Sequence, residues 1–398
     1  MFDLYPADVY KKISDVEPRE IFVPYRICPL GAHVDHQLGL VTGMTLDRGI
    51  RILWSPRDDG CIVVCSEDFP GEACWHLTDL SVLCPAHDWA DHLRGASVAF
   101  CEKHPLTRGI SVAIRGEIPV GGLSSSAAVI IAFLLALSYA NDVSLTADET
   151  VSLARQAENR FVGVSCGILD QSVIVFGEKD RLLYLDCRSG EHRAISLPGS
   201  SSYSIGVFYC GLSRSLSSSG YNARADECRK AAADLLELSG CVAADEIDCH
   251  LRDVPEETFY RLGSRLDEKL FRRARHFYSE CDRVRRGVDA WSRGDLHFFG
   301  DLMRQSGESS ISDYEVGGPE LTCLSRILTS TPGVLGSRFS GAGFKGSCIA
   351  LIAPGEEECV LRSVASRYGE TMPHLADAYR AFICSSAPGV LQSGALML

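Results

Sequence analysis

The sequence lacks any apolar stretch long enough to cross a bilayer. Its longest uninterrupted apolar run covers 127–137, whereas a membrane-spanning helix needs roughly 20 such residues. The N-terminus also lacks the apolar core of a secretory signal peptide. We therefore predict a cytoplasmic chain that does not associate with membranes, and we interpret the apolar run as a buried helix.

The sequence has many cysteines but lacks the spacing that would give them a structural role. None of the 17 cysteines forms a Cys-x-x-Cys pair, which makes a zinc site unlikely in this chain. An odd number scattered through a long chain is also atypical of a disulfide scaffold. We predict that most of them are reduced core residues of a cytosolic protein.

Positive charge is also in deficit. Asp and Glu number 52 against 39 Lys and Arg, so the net charge is −13. Because such a chain repels phosphate backbones, nucleic acid is not an expected partner. The arginine-rich stretch 272–286 is interleaved with acidic residues at helical spacing, and we interpret it as a solvated helix face.

The remaining composition is that of a globular protein with two to three domains. The chain has 398 residues, of which 46% are hydrophobic and 23% charged, as in soluble proteins. Strand-like stretches at Ile21–Ile27, Ile205–Tyr209 and Cys348–Ile352 alternate with helical patterns. This mixture predicts an α+β fold with two lobes. A turn-rich break at 198–204 divides the chain into predicted domains 1–200 and 201–398.

A glycine- and serine-rich loop precedes the apolar helix. Glycine lets a backbone approach an anion closely, serine supplies hydroxyls, and the following helix N-terminus offers free N–H groups and positive potential. The loop therefore suits a phosphate, although a serine-rich turn that caps a core helix has the same composition. The Walker A pattern is absent. The candidate phosphate-binding residues are Gly121, Gly122, Leu123, Ser124, Ser125, Ser126 and Ala127.

Two carboxylates lie in apolar surroundings. Asp170 is flanked by apolar residues and is either paired in the core or catalytic. Thr146 and Glu149 fit a helix capping box, so a helix is predicted to start at Thr146. If this helix continues, Glu158 lies on the same face as Ala154 and Phe161. A buried ion pair and a metal ligand are both open for Glu158.

Two further segments are polar or glycine-rich. Arg26, His33, Asp35 and His36 surround a loop that follows an apolar strand, and they suit either polyol binding or an ordinary exposed loop. The segment 341–346 matches the GxGxxG pattern of dinucleotide-binding folds. Because a strand rather than a helix follows it, we interpret this segment as a tight turn.

In these four places the chain resembles the galactokinase branch of the GHMP small-molecule kinases. The segment from Pro24 to Asp35 is similar to the family's sugar signature, and Gly121 to Ala128 to its phosphate loop. The segments from Ala157 to Gln171 and from Ser340 to Gly346 are similar to its catalytic and third motifs. The resemblance implies two lobes with the active site between them and ATP-dependent phosphorylation of a sugar's anomeric hydroxyl.

The resemblance also implies roles for individual residues. Asp170 is expected to be the catalytic carboxylate, and Arg26 to stabilise it and the developing phosphoryl charge. Ser126 and Glu158 are expected to hold Mg²⁺, as suits an oxygen-ligand site. His33, Asp35, Gly167 and Tyr221 are expected to contact sugar hydroxyls. The expected partners are ATP and a small sugar, and the expected oligomeric state is a monomer.

The chain departs from the galactokinase pattern at several positions. Galactokinases carry Glu, which approaches the C6 hydroxyl, at the position of Ala32. They carry Tyr and Asn at the positions of His36 and Gln37, and Gly at that of Lys345. The phosphate loop is one residue shorter after Pro119.

The change at Ala32 predicts a different C6 group on the sugar. A Glu about 4 Å from a C6 carboxylate would cost about 4 kcal/mol at an effective dielectric constant near 20. Ala32 removes that repulsion, a protonated His36 would add a favourable charge, and Tyr221 can donate to the carboxylate. The segment from Pro24 to His33, with Asp35, His36 and Gln37, is also similar to that of galacturonokinases known from plants. This resemblance implies galacturonate as the substrate. A kinase for galactose or N-acetylgalactosamine and a non-catalytic sugar sensor are the alternatives.

Overall fold

The computed structural model describes residues 7–119, 121–199, 201–212, 219–241 and 248–396. Helices and strands are mixed along these residues, as the sequence predicts. The strands are β1 Arg19–Ile27, β2 Leu40–Arg57, β3 Cys61–Ser66, β4 Glu72–His76, β5 Gly109–Gly116, β6 Arg181–Asp186, β7 His192–Ser196, β8 Ser204–Tyr209, β9 Val334–Phe339, β10 Ser347–Ile352 and β11 Arg380–Cys384. The helices are α1 Ala7–Tyr10, α2 Asp91–Cys101, α3 Ser125–Ala140, α4 Ala147–Gln156, α5 Leu169–Phe176, α6 Ser219–Leu238, α7 Glu256–Leu262, α8 Glu268–Ser292, α9 Leu296–Ser312, α10 Pro319–Thr329 and α11 Glu357–Thr371.

The strands β1 to β7 form one sheet in the order β4-β3-β5-β2-β6-β7, with β1 paired to β2. The long β2 joins its two halves, because its later residues pair with β1 along one edge and with β5 along the other, whereas its first residues, 40–43, pair with β6. Helix α3 packs against β1, β2 and β5. Its apolar run is buried except for the half-buried Val129, which confirms the predicted core helix.

The strands β8 to β11 form a second, antiparallel sheet in the order β11-β8-β10-β9. Helices α9 and α10 pack on β9. After β11 the chain returns to the first sheet, where Asp47 donates its N–H to the Ser385 carbonyl at 2.9 Å and Ala387 donates to Thr45. The division at residues 200 and 201 stays a prediction, and Ser200 lies outside the described residues.

The segment after Thr146 contains an irregularity. Thr146 caps α4 and accepts a hydrogen bond from the N–H of Glu149. At Gln156 the α-helix gives way to a π-helical turn, 157–162, which ends at Gly163 with φ +80°. Such a turn shifts the i→i+4 register. The predicted continuous helical face through Glu158 and Phe161 is therefore wrong beyond Gln156.

Helix α8 corrects the interpretation of the arginine stretch. Most of its arginines are partly or fully exposed, but Arg273 is fully buried and Arg283 nearly so. Arg273 pairs with Glu227 at 2.6 Å and also with Glu315, while Arg283 pairs with Glu280 at 2.7 Å. A solvated face is the wrong interpretation for these two positions.

The cysteines lie as single thiols. All 17 fall within the described residues without a disulfide, and nine of them are buried. No group of three or more potential metal-ligating side chains of His, Cys, Asp or Glu occurs among the described residues. None of the described helices combines the length and the apolar character that crossing a membrane requires.

Candidate active site

One cavity brings the four sequence motifs together between the two sheets. It is lined from the first half by β1, the loop after it, the phosphate loop, the π-helical turn and the start of α5. From the second half come the start of α6, the end of β9 and the loop to β10. Its lining includes Arg26, Ala32, His33, Asp35, Gly121, Gly122, Ser124, Ser125, Ser126, Glu158, Gly167, Asp170, Tyr221, Arg338 and Lys345.

The phosphate loop is held in a conformation that requires glycine. Gly121 and Gly122 have φ of +153° and +83°. A Cβ at Gly121 would lie 2.7 Å from Gly346 Cα, and one at Gly122 would lie 2.7 Å from the Ser340 carbonyl oxygen. The segment 341–346, which links β9 to β10 as the predicted tight turn, therefore lies directly against the loop. Helix α3 begins at Ser125, so its positive end faces this junction.

Arg26 and Asp170 form an ion pair inside the cavity. The Nε and Nη2 atoms of Arg26 donate to one Asp170 oxygen at 2.7 and 2.6 Å. Nη1 of Arg26 donates to the Gly122 carbonyl at 3.2 Å and to Ser340 at 3.4 Å. Arg26 is buried, whereas Asp170 is 29% exposed. The arginine thus connects the carboxylate to the phosphate loop and leaves an oxygen of Asp170 for a ligand.

Glu158 is a buried carboxylate beside the loop. Gln171 donates to it, the Ser126 hydroxyl bonds to it, and the Cys166 thiol lies 3.7 Å away. Burial and the neighbouring Asp170 raise the pKa of Glu158 to about 7. A carboxylate that is costly to ionise alone is stabilised by a cation. The hydroxyl of Ser126 and the carboxylate of Glu158 are oxygen donors on the phosphate side of the cavity, so this donor set fits Mg²⁺.

Asp35 is positioned by a close backbone approach. A Cβ at Gly167 would lie 2.6 Å from an Asp35 oxygen, so only glycine leaves this carboxylate its place. Burial and the nearby Asp170 raise the pKa of Asp35 to about 6. Asp35 and Gly167 both line the cavity.

His33 lies flat against an aromatic ring. Its imidazole stacks on Tyr314 at 4.6 Å between centroids and 10° between planes. Its Nε2 is buried without a hydrogen-bond partner. Burial, with Arg338 nearby, holds the pKa of His33 well below its usual value, so the ring is neutral and can donate to or accept from a ligand.

His36 corrects one expectation. It is not among the residues that line the cavity, and its Nε2 bonds to the Tyr314 hydroxyl at 2.8 Å. Burial lowers the pKa of His36 to about 3. A protonated His36 that attracts a sugar carboxylate is therefore wrong. Tyr221 does line the cavity, and its ring meets His36 edge-on at 5.8 Å.

Two features of the cavity were not predicted from the sequence. The first is Arg338, a buried arginine of β9 that lies beside the sugar-signature residues; the only available signal was an arginine in a short strand that leads into the third motif. The second is an apolar section, which includes Phe69 stacked on Trp89 at 5.9 Å and 5°. The other apolar members are Tyr25, Ile50, Leu93, Ile114 and Val129.

Comparison with known sequences identifies similar proteins along most of the chain. Residues 91–178 match the model of the GHMP kinases N terminal domain. The chain is 37% identical over 381 residues to a galacturonokinase of Arabidopsis thaliana, covering 91% of this chain and 89% of that protein. It is 33% identical to a galactokinase of Roseiflexus sp. strain RS-1, covering 92% and 91%.

Comparison with solved structures gives the same grouping. The galactokinase of Lactococcus lactis, solved in complex with galactose, superposes with a TM-score of 0.86 at 28% identity. The match covers 96% of this chain and 98% of that chain. The mevalonate kinase of Methanococcus jannaschii shares the fold, with a TM-score of 0.64 at 16% identity over 94% and 100% of the two chains. The expected two-lobed α+β fold is thereby confirmed.

Proposed function

This chain is a sugar kinase of the galactokinase family within the GHMP kinases, and from that premise we propose that its sugar is D-galacturonate. The product would be α-D-galacturonate 1-phosphate, made by transfer of a phosphoryl group from ATP to the anomeric hydroxyl. The observation that carries the proposal is the cavity itself. It joins a phosphate loop, an Arg26–Asp170 pair and a sugar signature in which Ala32 stands where galactokinases have Glu.

Asp170 and Arg26 supply the chemistry that the chain itself contributes. Phosphoryl transfer depends mainly on positioning and on neutralisation of the developing charge. The partly exposed carboxylate of Asp170 orients the anomeric hydroxyl and accepts its proton. The guanidinium of Arg26 holds that carboxylate in place and offers positive charge near the phosphate loop, where the transferred group would lie.

The nucleotide would occupy two parts of the cavity. The phosphate loop and the positive end of α3 would receive the phosphates, while the apolar section around Phe69 and Trp89 would take the adenine ring. Ser126 and Glu158 would hold Mg²⁺, which would neutralise the charge of the phosphates. Lys345 lines the cavity beside the loop and adds a cation there.

The sugar end favours an acid over a neutral hexose. Ala32 is buried and its side chain carries no charge, so it does not repel a C6 carboxylate as a Glu side chain would. Asp35, His33, Gly167 and Tyr221 would then contact hydroxyls. The similarity to a protein named galacturonokinase supports the same substrate. We further propose that the chain is a monomer and that it is cytoplasmic; the 17 unpaired cysteines of the described residues are consistent with the second point.

Release of ADP tests this proposal directly. The purified chain is incubated with ATP and Mg²⁺ and offered galacturonate, glucuronate, galactose or N-acetylgalactosamine in parallel. We expect turnover to favour galacturonate strongly and ³¹P NMR to place the phosphate on C1. Preference for galactose would retain the family and overturn the substrate. Binding without ADP release, from folded protein, would instead support a non-catalytic sensor.

A further inference from the structure

We propose that Arg338 is the residue that binds the C6 carboxylate of the sugar acid, through the Nε and Nη2 edge of its guanidinium. This inference rests on galacturonate being the substrate, and it assigns the recognition of the acid to a residue outside the sugar signature. It identifies a specificity-determining residue of the sugar kinase reaction.

The side chain of Arg338 is buried and short of partners. Its exposed fraction is 1%. Among the described residues, its one hydrogen bond runs from Nη1 to the Cys28 carbonyl at a long 3.4 Å. Nε and Nη2, which together carry three of an arginine's five N–H groups, have no hydrogen-bond partner. A buried charge without such partners is costly unless a ligand supplies them.

The other buried arginines of the described residues do not share this state. Each of them makes hydrogen bonds to at least one carboxylate, which is how proteins usually accommodate a buried guanidinium. The pairs are Arg26 with Asp170, Arg94 with Asp88 and Asp91, Arg273 with Glu227 and Glu315, and Arg283 with Glu280. Among these buried arginines, Arg338 of the cavity is therefore the one without a hydrogen-bonded carboxylate.

The nearby carboxylate of Glu280 is already occupied. Its Oε1 accepts hydrogen bonds from the N–H groups of Gly31 and Ala32 at 2.7 and 3.1 Å and from the Ser306 hydroxyl at 2.6 Å. Its Oε2 accepts from Arg283 at 2.7 Å. Glu280 thus fixes the backbone of the sugar signature, and it leaves the free edge of Arg338 without a bonded anion.

The free edge has the geometry that carboxylates prefer. Nε and Nη2 lie side by side and can donate two parallel hydrogen bonds to the two oxygens of one carboxylate. Arg338 lines the cavity together with Cys28, Ala32 and His33. Burial lowers the pKa of Arg338, although the carboxylate of Glu280 acts in the opposite direction. Galactokinases carry a Glu carboxylate at the position of Ala32. In this chain the carboxylate of the substrate would take its place.

The test compares two sugars in three variants. Arg338→Met removes the guanidinium, and Arg338→Lys keeps the charge without the fork. The control, Arg367→Met, removes an arginine of α11 whose partners in the described part of the chain are Ser330, Thr331 and the Ile327 carbonyl. The values of kcat and KM are measured with galacturonate, with galactose and with ATP. Galacturonate-induced shifts in Tm provide a second readout that does not depend on turnover.

We expect Arg338→Met to lower kcat/KM for galacturonate at least a hundredfold, mainly through KM, while kcat/KM for galactose changes less than threefold. Arg338→Lys should recover part of the loss, and Arg367→Met should leave the ratio unchanged. The Tm of the free Arg338→Met protein should not fall, because the substitution removes a buried charge that lacks hydrogen-bond partners. The increase in Tm that galacturonate causes should disappear.

Several results would overturn the inference. These are equal losses with both sugars, a loss confined to the KM of ATP, and an unchanged preference for galacturonate. If Arg338→Met fails to fold, Ala32→Glu replaces it: a carboxylate offered from the protein should pair with Arg338, raise the Tm and abolish the galacturonate-induced shift. A wild-type chain that prefers galactose would instead refute the proposed substrate.

Discussion

Two arginines of the same cavity, Arg26 and Arg338, are in opposite electrostatic states. Arg26 directs Nε and Nη2 at Asp170, with 2.7 and 2.6 Å separations. The same edge of Arg338 has no partner among the described residues. The first arginine is balanced within the protein and is ready for a reaction that any sugar of the family undergoes. The second has no hydrogen-bonded carboxylate among the described residues, and we propose that the ligand provides one.

The difference separates chemistry from recognition. A paired charge is preorganised, because its geometry is fixed before the substrate arrives. An unpaired buried charge raises the energy of the free protein, and that energy is recovered on binding only by a ligand of opposite sign. Substitutions at the paired end of the cavity are therefore expected to have larger effects than substitutions at its sugar end.

The largest effect is expected at Asp170. Asp170→Asn removes the acceptor of the anomeric proton and the partner of Arg26, so kcat should fall by about 10²–10⁴ with either sugar. Steady-state ADP release measures the loss. Asp142→Asn is the matched control, since Asp142 is exposed and has φ +52°, which asparagine tolerates. An increase in KM for the sugar with kcat unchanged would contradict the catalytic role.

The second effect concerns Ala32. Ala32→Glu places a carboxylate near the position expected for the C6 group, and about 4 kcal/mol of repulsion corresponds to about three orders of magnitude in affinity for galacturonate. Turnover of galactose should be retained or improved. Competition assays with both sugars measure the change. Galacturonate kinetics equal to those of the unaltered protein would refute this explanation of specificity.

A smaller effect is expected at Asp35. The Asp35→Asn substitution should stabilise the folded protein but weaken sugar binding. The pKa of Asp35 in the folded state, about 6, is above its unfolded value near 3.8. The free energy of unfolding should therefore fall as the pH rises from about 4 to 6 and remain lower above that range. Asp35→Asn removes this penalty, of order 3 kcal/mol.

Thermal unfolding checks this prediction at two pH values. At pH 8 the Asp35→Asn variant should be more stable than the unaltered protein, while its sugar affinity should be weaker. At pH 4 the two proteins should unfold at similar temperatures. A variant that is less stable at pH 8 would show that the Asp35 carboxylate is favourably paired in the free protein.

The smallest effect is expected from His36. Because burial lowers its pKa to about 3, His36 carries no charge between pH 5.5 and 8. The ratio of kcat/KM for galacturonate to that for galactose should therefore stay flat over this range, since titration of Asp35 affects both sugars alike. A ratio that falls as the pH rises through about 6.5 would indicate a protonated histidine at the sugar carboxylate.

The sequence sufficed for the features that are local along the chain. The apolar run of α3, the Thr146 cap, the strands at β1 and β8, and the turn at 341–346 follow from spacing and composition. Arg26, Asp170 and the phosphate loop were found through motifs whose members lie close together. These features depend on few residues, and their physical requirements are visible in the sequence itself.

Features that depend on tertiary structure were not predictable. His36 is neutral because burial lowers its pKa. It bonds to the hydroxyl of Tyr314, which lies 278 residues away along the chain. The π-helical turn at 157–162 lies where α2 approaches, since a Cβ at Gly95 would be 2.9 Å from the Ala157 carbonyl. Arg338 reaches the sugar signature only after the two sheets assemble, and its missing partner has no sequence signal.

One measurement tests the contrast between the two arginines most directly. The ratio of kcat/KM for galacturonate to that for galactose is determined for the unaltered protein, for Arg26→Met and for Arg338→Met. We predict that Arg26→Met lowers both values together and leaves the ratio unchanged, while Arg338→Met lowers the ratio at least a hundredfold. A ratio unaffected by Arg338→Met would refute the assignment of the sugar carboxylate to Arg338.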